Sequence, residues 1–232
     1  MTGRAADPLV EEIENRIARG LLGDGQPLPP ERDLMAEFGL SRTVVREALR
    51  ILSSRGLVEA RPRHRPVVRR PGFAAAFDAV GGVVRHLLRD RDGVRNLFET
   101  RIMVEAALVR QAAAEAGRDD IARLTDALAA NEAAIADSAA FYDTDIAFHR
   151  VLYEVPRNPV LPALHDAYTG WLAPQWSRMP HLETRNRRNA AAHRAIYDAI
   201  LLRDPDAAET ALRRHMDDAW DQVQDIVTKD PT

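Results

Sequence analysis

The sequence predicts a mostly α-helical chain in two parts. Residues 1–72 read as a winged helix-turn-helix with a small β-wing, and residues 73–232 as an all-α antiparallel helical bundle. Three observations lead there. A helix, a glycine turn and a second helix occupy residues 30–53, followed at once by two short β-prone runs. After residue 72 apolar residues recur at helical spacing, broken only by Gly and Pro. Charge is also split: residues 41–70 hold nine arginines against Glu47 and Glu59, whereas the chain beyond residue 70 carries 19 basic and 25 acidic residues.

Taken in order, Leu9, Ile13, Ile17 and Leu21 form an i, i+4 stripe, so residues 7–21 are expected as an amphipathic helix stopped by Gly23 and Gly25. Pro27, Pro29 and Pro30 make a stiff extended lead-in, with Pro30 suited to the first turn of the next helix. Glu31–Phe38 is a short helix ended by Gly39. Ser41 is an N-cap for a helix over Arg42–Ser53, whose Val45, Leu49 and Leu52 face inward, and Gly56 ends it. Leu57–Arg61 and Pro66–Arg69 read as strands joined by the basic turn Pro62-Arg63-His64-Arg65, and Pro71 and Gly72 mark a linker. Helices are then expected over 74–89, 93–116, 119–137, 139–154, 158–173, 185–202 and 205–227, with breaks at Gly93, Gly117, Pro156, Pro159, Pro174 and Pro180.

Composition bounds the function. The 232 residues are 46% hydrophobic, enough for cores in two modest domains. There is no cysteine, which excludes disulfides and thiolate chemistry. No stretch resembles a signal peptide, and no run of about 18 apolar residues suggests a membrane span. A cytoplasmic protein is expected. Net charge is −3 overall, but residues 1–70 hold 13 arginines and 10 acids, a local net of +3 that suits a polyanion. The excess of arginine over the single lysine, Lys229, is read as coding bias rather than function.

In the first part, the helix opening at Ser41 presents Arg42, Thr43 and Arg46 outward on its first turns. Such a helix fits the DNA major groove, where arginine pairs with guanine edges or phosphates, and the basic strand pair supplies a wing. The same pattern is open to an ordinary helical hairpin with solvated arginines. Residues 7–70 resemble the winged-helix domain of the GntR family in three pieces. These are Leu-Pro-x-Glu-Arg-x-Leu (Leu28 to Leu34), Ser-Arg-x-x-Val-Arg-Glu-Ala-Leu (Ser41 to Leu49) and Leu-x-x-x-Gly-Leu-Val (Leu52 to Val58). The resemblance implies operator contacts from Arg32, Arg42, Thr43 and Arg46. The wing departs from the family, whose members carry glycine at its tip, yet Arg63, His64 and Arg65 are still expected at DNA.

In the second part, Asp145 and His149 stand at i, i+4 on one helix face, with His193 and His215 on later helices. One carboxylate and three imidazoles make a divalent transition-metal site if the helices converge, as in metal-binding bundles. Each histidine taken alone is more often a surface or core residue, the reading given to His86, His165 and His181. Residues 74–227 resemble the FCD sensor domain of the FadR subfamily through Asp145-Ile146-Ala147-Phe148-His149, His193-Arg194-Ala195-Ile196, Asp204-Pro205-Asp206-Ala207-Ala208 and His215-Met216. All four ligand positions of that family are filled. The resemblance also places Arg101, in Leu97–Glu105, at an effector cavity with Glu105, although a helix-surface pair with Glu105 is the alternative. Arg185 and Asn189 are expected to line the same cavity.

An arginine beside a metal suits a carboxylate, so the expected effector is a small organic acid such as a hydroxy acid or sugar acid. The metal is expected to be zinc, with nickel and manganese open. Together these features predict a homodimeric repressor of a palindromic double-stranded operator, released by its effector. A metalloenzyme with a DNA-binding head is the rival reading, but no general base sits within the ligand motif, and no catalytic residue or enzyme activity is expected. A purely structural metal is a third reading. Whether the dimer is domain-swapped stays open.

Overall fold

A computed structural model describes residues 3–60, 64–69, 72–179 and 181–229. Ten helices and one two-stranded sheet appear among them, in two compact units, Met1–Ala79 and Val80–Thr232.

The first unit is built from α1 (Gly3–Ala18), α2 (Glu31–Phe38), α3 (Arg42–Ser54), β1 (Val58–Glu59) and β2 (Val67–Val68). Its core joins Leu9, Val10, Ile13 and Ile17 of α1 to Leu34 of α2, to Val45, Ala48, Leu49 and Leu52 of α3, and to Val58 and Val68 of the sheet. The apolar stripe of α1 is therefore real, except at its end. The helix stops at Ala18, Gly20 takes a left-handed φ of 75°, and Leu21 is left outside the helix and exposed. Between α2 and α3, Gly39 adopts φ 64° and returns its N–H to the Met35 carbonyl, a turn that disfavours any side chain with a Cβ. Ser41 holds the N-cap position of α3 with extended backbone, but its hydroxyl makes no cap hydrogen bond.

The strands are antiparallel, Val58 opposite Val68 and Glu59 opposite Val67. The proline-rich lead-in contributes more than stiffness. Gly25 N–H donates to the Val68 carbonyl (2.9 Å), Val68 N–H to Gln26 (2.8 Å) and Leu28 N–H to Pro66 (2.8 Å). Residues 25–28 thus form a third extended layer along β2, which local sequence pattern does not reveal.

Beyond the linker come α4 (Phe73–Leu87), α5 (Arg91–Glu115), α6 (Arg118–Ala133), α7 (Ser138–Glu154), α8 (Val160–Trp176), α9 (Glu183–Leu201) and α10 (Pro205–Lys229). Helix α10 packs on α5 and α9, and α6 on α7 and α9, around Phe98, Val109, Leu124, Phe148, Leu152, Tyr153, Ile196, Ile200 and Leu212. Aspartates start the helices: Asp90 accepts from Gly93 N–H (2.6 Å), Asp137 from Ala139 N–H (3.0 Å) and Asp204 from Ala207 N–H (3.0 Å). Gly93 lies inside the first turn of α5, and a Cβ there would sit 1.9 Å from the Leu87 carbonyl oxygen. It is a close-approach glycine rather than a helix breaker. Pro174 does not end α8, which continues to Trp176. Its missing N–H falls near the helix end, where Ser177 N–H still reaches the Ala173 carbonyl (2.9 Å). No helix among the described residues is long and apolar enough to cross a membrane.

Candidate functional site

On the first unit, the inward residues of α3 are spaced so that Arg42, Thr43 and Arg46 fall on its exposed side. Glu31, the first residue of α2, lies between the two arginines. Its carboxylate accepts from Arg46 Nε at 3.2 Å and stands 3.8 Å from Arg42 Nε. Arg42 and Arg46 are about two-thirds exposed, so these pairs are worth little as stability and leave the guanidiniums available. Arg32 is 90% exposed beside Asp33. Glu31 as the group that orients both arginines was not anticipated from sequence.

At the wing the side chains diverge. Arg65 donates through Nε (3.1 Å) and Nη2 to the Leu28 carbonyl, clasping the hairpin to the lead-in of α2, while the residue as a whole stays exposed. His64 is exposed, and Arg63 lies outside the described residues.

On the second unit, α7 brings Asp145 and His149, α9 brings His193 and α10 brings His215 to one point. One ligand atom from each lies within 4.8 Å of all the others. His215 Nε2 stands 3.2 Å from both His149 Nε2 and His193 Nε2, and Asp145 Oδ1 stands 3.4 Å from His193 Nε2. Nitrogen and oxygen ligands at about 2.0–2.1 Å from a tetrahedral metal would be about 3.3–3.4 Å apart.

The outer ring atoms explain why these nitrogens face inward. His149 Nδ1 donates to Glu105 Oε2 (2.6 Å), since a carboxylate only accepts. His193 Nδ1 donates to Asn131 Oδ1 (2.9 Å), whose amide nitrogen is turned to Thr144 Oγ1 (3.1 Å). Both Nε2 atoms therefore carry lone pairs aimed at a third imidazole and a carboxylate, an arrangement short of protons and suited to a cation. Burial, and then the neighbouring imidazole His149 for His193 or His193 for His215, pushes both groups well below the usual imidazole value. Both are neutral, as a ligand must be. The residues thus fit a divalent metal.

Beneath them, Glu105 is completely buried. Burial alone would raise its pKa, but Arg101 and then His149 hold it well below the carboxylate range. Arg101 Nε donates to Glu105 Oε1 (2.6 Å), and the Tyr153 hydroxyl donates to the same oxygen (3.2 Å). The Arg101–Glu105 pair, the helix-surface alternative to a cavity role, forms but is buried. Glu105, expected at the effector, does not line the cavity; it positions Arg101 and His149 from below.

That cavity, of about 60 Å³, opens over the ligand cluster. Asp145, His149 and His215 face it together with Arg101, Arg185 and Asn189, and with the apolar walls of Phe98 and Trp176. Arg101 lies over the Trp176 ring at 5.1 Å. Asn131, Tyr153 and Trp176 were not anticipated, because a second layer of support has no sequence spacing of its own.

A helix-turn-helix head with an arginine-bearing second helix, and a helical domain with a buried ligand cluster under an open cavity, define a DNA-binding transcription regulator rather than an enzyme. Comparison with known proteins agrees. The model for bacterial regulatory proteins of the gntR family matches residues 5–68, and that for the FCD domain matches residues 96–218. The chain is 37% identical over 228 residues to the HTH-type transcriptional repressor NanR of Cronobacter sakazakii, covering 97% of this chain and 88% of that protein. It is 38% identical over 215 residues to NanR of Salmonella typhimurium, covering 92% and 82%. Among solved structures, Streptococcus agalactiae GntR matches with a TM-score of 0.57 at 23% identity, covering 93% of this chain and 97% of that one. E. coli McbR/YncC matches with 0.53 at 17%, covering 95% and 97%, and both likenesses speak for the fold. The chain belongs to the GntR family of transcription regulators, in the branch that carries an FCD domain.

Proposed function

We propose that the protein is a homodimeric, metal-dependent repressor that binds a palindromic operator in the cytoplasm and leaves it when a small organic acid enters the cavity of residues 80–232. The observation that carries this reading is the meeting of Asp145, His149 and His215 with Arg101, Arg185 and Asn189 on one cavity wall. A cation alone needs no such opening, and the cavity favours a sensor over a purely structural metal.

In the head, Arg42, Thr43 and Arg46 would read base edges and phosphates, with Arg32 and His64 at flanking positions. In the sensor, Asp145, His149, His193 and His215 would hold the metal, zinc by preference, which supplies a Lewis-acidic anchor for one carboxylate oxygen. Arg101 would fork onto the carboxylate with the donors that Glu105 leaves free. Asn189 and Arg185 would fix the rest of the ligand. A ligand so held joins α5 to α9, and a differential affinity for two arrangements of these helices would shift the spacing of the paired heads.

Elemental analysis of the purified protein beside His193→Ala tests the centre. About one metal per chain in the first and far less in the second is expected. No metal in either, after reloading with zinc, nickel or manganese, overturns it. Operator selection from a random duplex pool, repeated with a panel of hydroxy and sugar acids, tests repression. Recovery of a palindrome, released by one of the acids, is expected.

A further inference from the structure

Arg185 lines the cavity away from the groups that would hold the anchoring carboxylate, and its own hydrogen-bonding capacity is unfilled. Its Nε and Nη1 are buried and have no hydrogen-bond partner among the described residues. The residue is half-buried, and unpaired buried nitrogens on a guanidinium are costly unless an anion completes them. Burial lowers its pKa, and the opposing influence is the charge of Asp145, which a bound metal would claim. On the same cavity wall the Tyr142 hydroxyl is likewise buried and unpartnered, and burial pushes it up to about 12, so it stands as a neutral donor. Arg185 and Tyr142 border both the main cavity and a neighbouring outer chamber.

The spacing along α9 orders the groups. Arg185, Asn189 and His193 follow one another at i, i+4 and i+8, on one face, with His193 at the ligand cluster and the other two on the cavity wall. Eight residues of helix rise about 12 Å between the backbones of Arg185 and His193, with Asn189 between. The charges are unevenly matched. Arg101 is balanced by Glu105, and a divalent cation is half balanced by Asp145. One positive charge at the metal end and one at Arg185 await partners.

Resting on the effector reading above, we infer that the ligand is an extended acid with two anionic groups. One meets the metal and Arg101, and the second, at the far end, is bound by Arg185 with the Tyr142 hydroxyl. Asn189 faces the middle of the ligand and favours a polar substituent there. Arg185 and Tyr142 thus set the specificity for the second charge.

The test uses the zinc-loaded full chain and dicarboxylates of three to six carbons, malonate to adipate, each against its monoamide. The monoamide keeps the shape and removes one charge. Binding is read by calorimetry and by tryptophan fluorescence, with zinc content verified afterwards. One chain length is expected to bind at least about ten-fold tighter than its monoamide. Arg185→Gln should erase that preference while leaving monoamide affinity in place, and Arg185→Lys should keep part of it. Equal binding of acid and monoamide at every length, or a preference that survives Arg185→Gln, overturns the two-anion proposal and leaves the metal-anchored effector standing. Absence of any binding that depends on Arg101 and zinc overturns the effector reading, and this proposal with it.

Discussion

Glu105 touches Arg101 and His149 with separate oxygens, each at 2.6 Å. One fully buried carboxylate therefore positions the candidate effector arginine and a candidate metal ligand together, across a sequence separation of 44 residues to His149.

Replacing Glu105 by Gln keeps the shape but removes the charge that fixes the His149 tautomer. Outer partners of this kind are worth about 10–100-fold in metal affinity. Glu105→Gln is expected to weaken zinc binding by that factor in competition with a chromophoric chelator. Unchanged affinity would show that His149 is oriented by packing alone.

The metal-free protein should be acid-sensitive. His193 and His215 have pKa values depressed below 6.5, so the unfolded chain binds more protons than the folded one as pH falls below 6.5. Stability is present above 6.5 and declines below it, by up to about 1.4 kcal/mol per pH unit for each histidine while it titrates only in the unfolded chain. Glu105, also depressed, adds a loss in the same direction only below about 4.5, its ordinary value. Urea unfolding of the EDTA-treated protein at pH 7.5, 6.5 and 5.5 checks this. A flat profile across 6.5–5.5 contradicts the buried neutral imidazoles.

Arg42→Ala and Arg46→Ala should each weaken operator binding roughly ten-fold or more, as expected for one arginine read at a base edge or phosphate. Electrophoretic mobility shifts over a range of salt would separate the two kinds of contact. A phosphate contact lowers the salt slope by about one, whereas a base contact relaxes sequence preference. Full affinity in both variants would remove α3 from the interface.

Gly39→Ala should destabilise the first unit by about 1–2 kcal/mol, because the residue is held at φ 64°. Nothing lies within 4 Å of a Cβ built there, so the cost is conformational and not steric contact with neighbours. Urea unfolding followed by far-UV circular dichroism would read it, and an unchanged midpoint would place the strain elsewhere.

What could be read in the sequence follows the range of each interaction. Helix existence was legible because apolar periodicity and breakers such as Gly39 and Gly56 act locally. The convergence of Asp145, His149, His193 and His215 was legible only through motif resemblance, since spacing reaches no further than the i, i+4 pair on α7. Asn131, Tyr153 and Trp176 support the site from α6, α7 and α8, and only tertiary packing selects them. Leu21 misled because a periodic apolar residue continues the stripe on paper after the backbone has turned at Gly20. The bond from Arg65 to the Leu28 carbonyl was not legible, because the position of that carbonyl is decided by the pairing of residues 25–28 with β2. Gly93 read as a break, yet its lack of a Cβ serves the Leu87 carbonyl.

The four candidate ligands hang on three helices drawn from 71 residues of chain, 145–215. A cation bridging them would act as a removable staple, and by mass action would protect the bundle in proportion to its free concentration. Without it, lone pairs would face one another and local opening would be cheaper, exposing backbone to proteases. The number of regulator molecules in a cell would then follow metal supply through turnover, and metal starvation would loosen control of the target genes even where no effector is present.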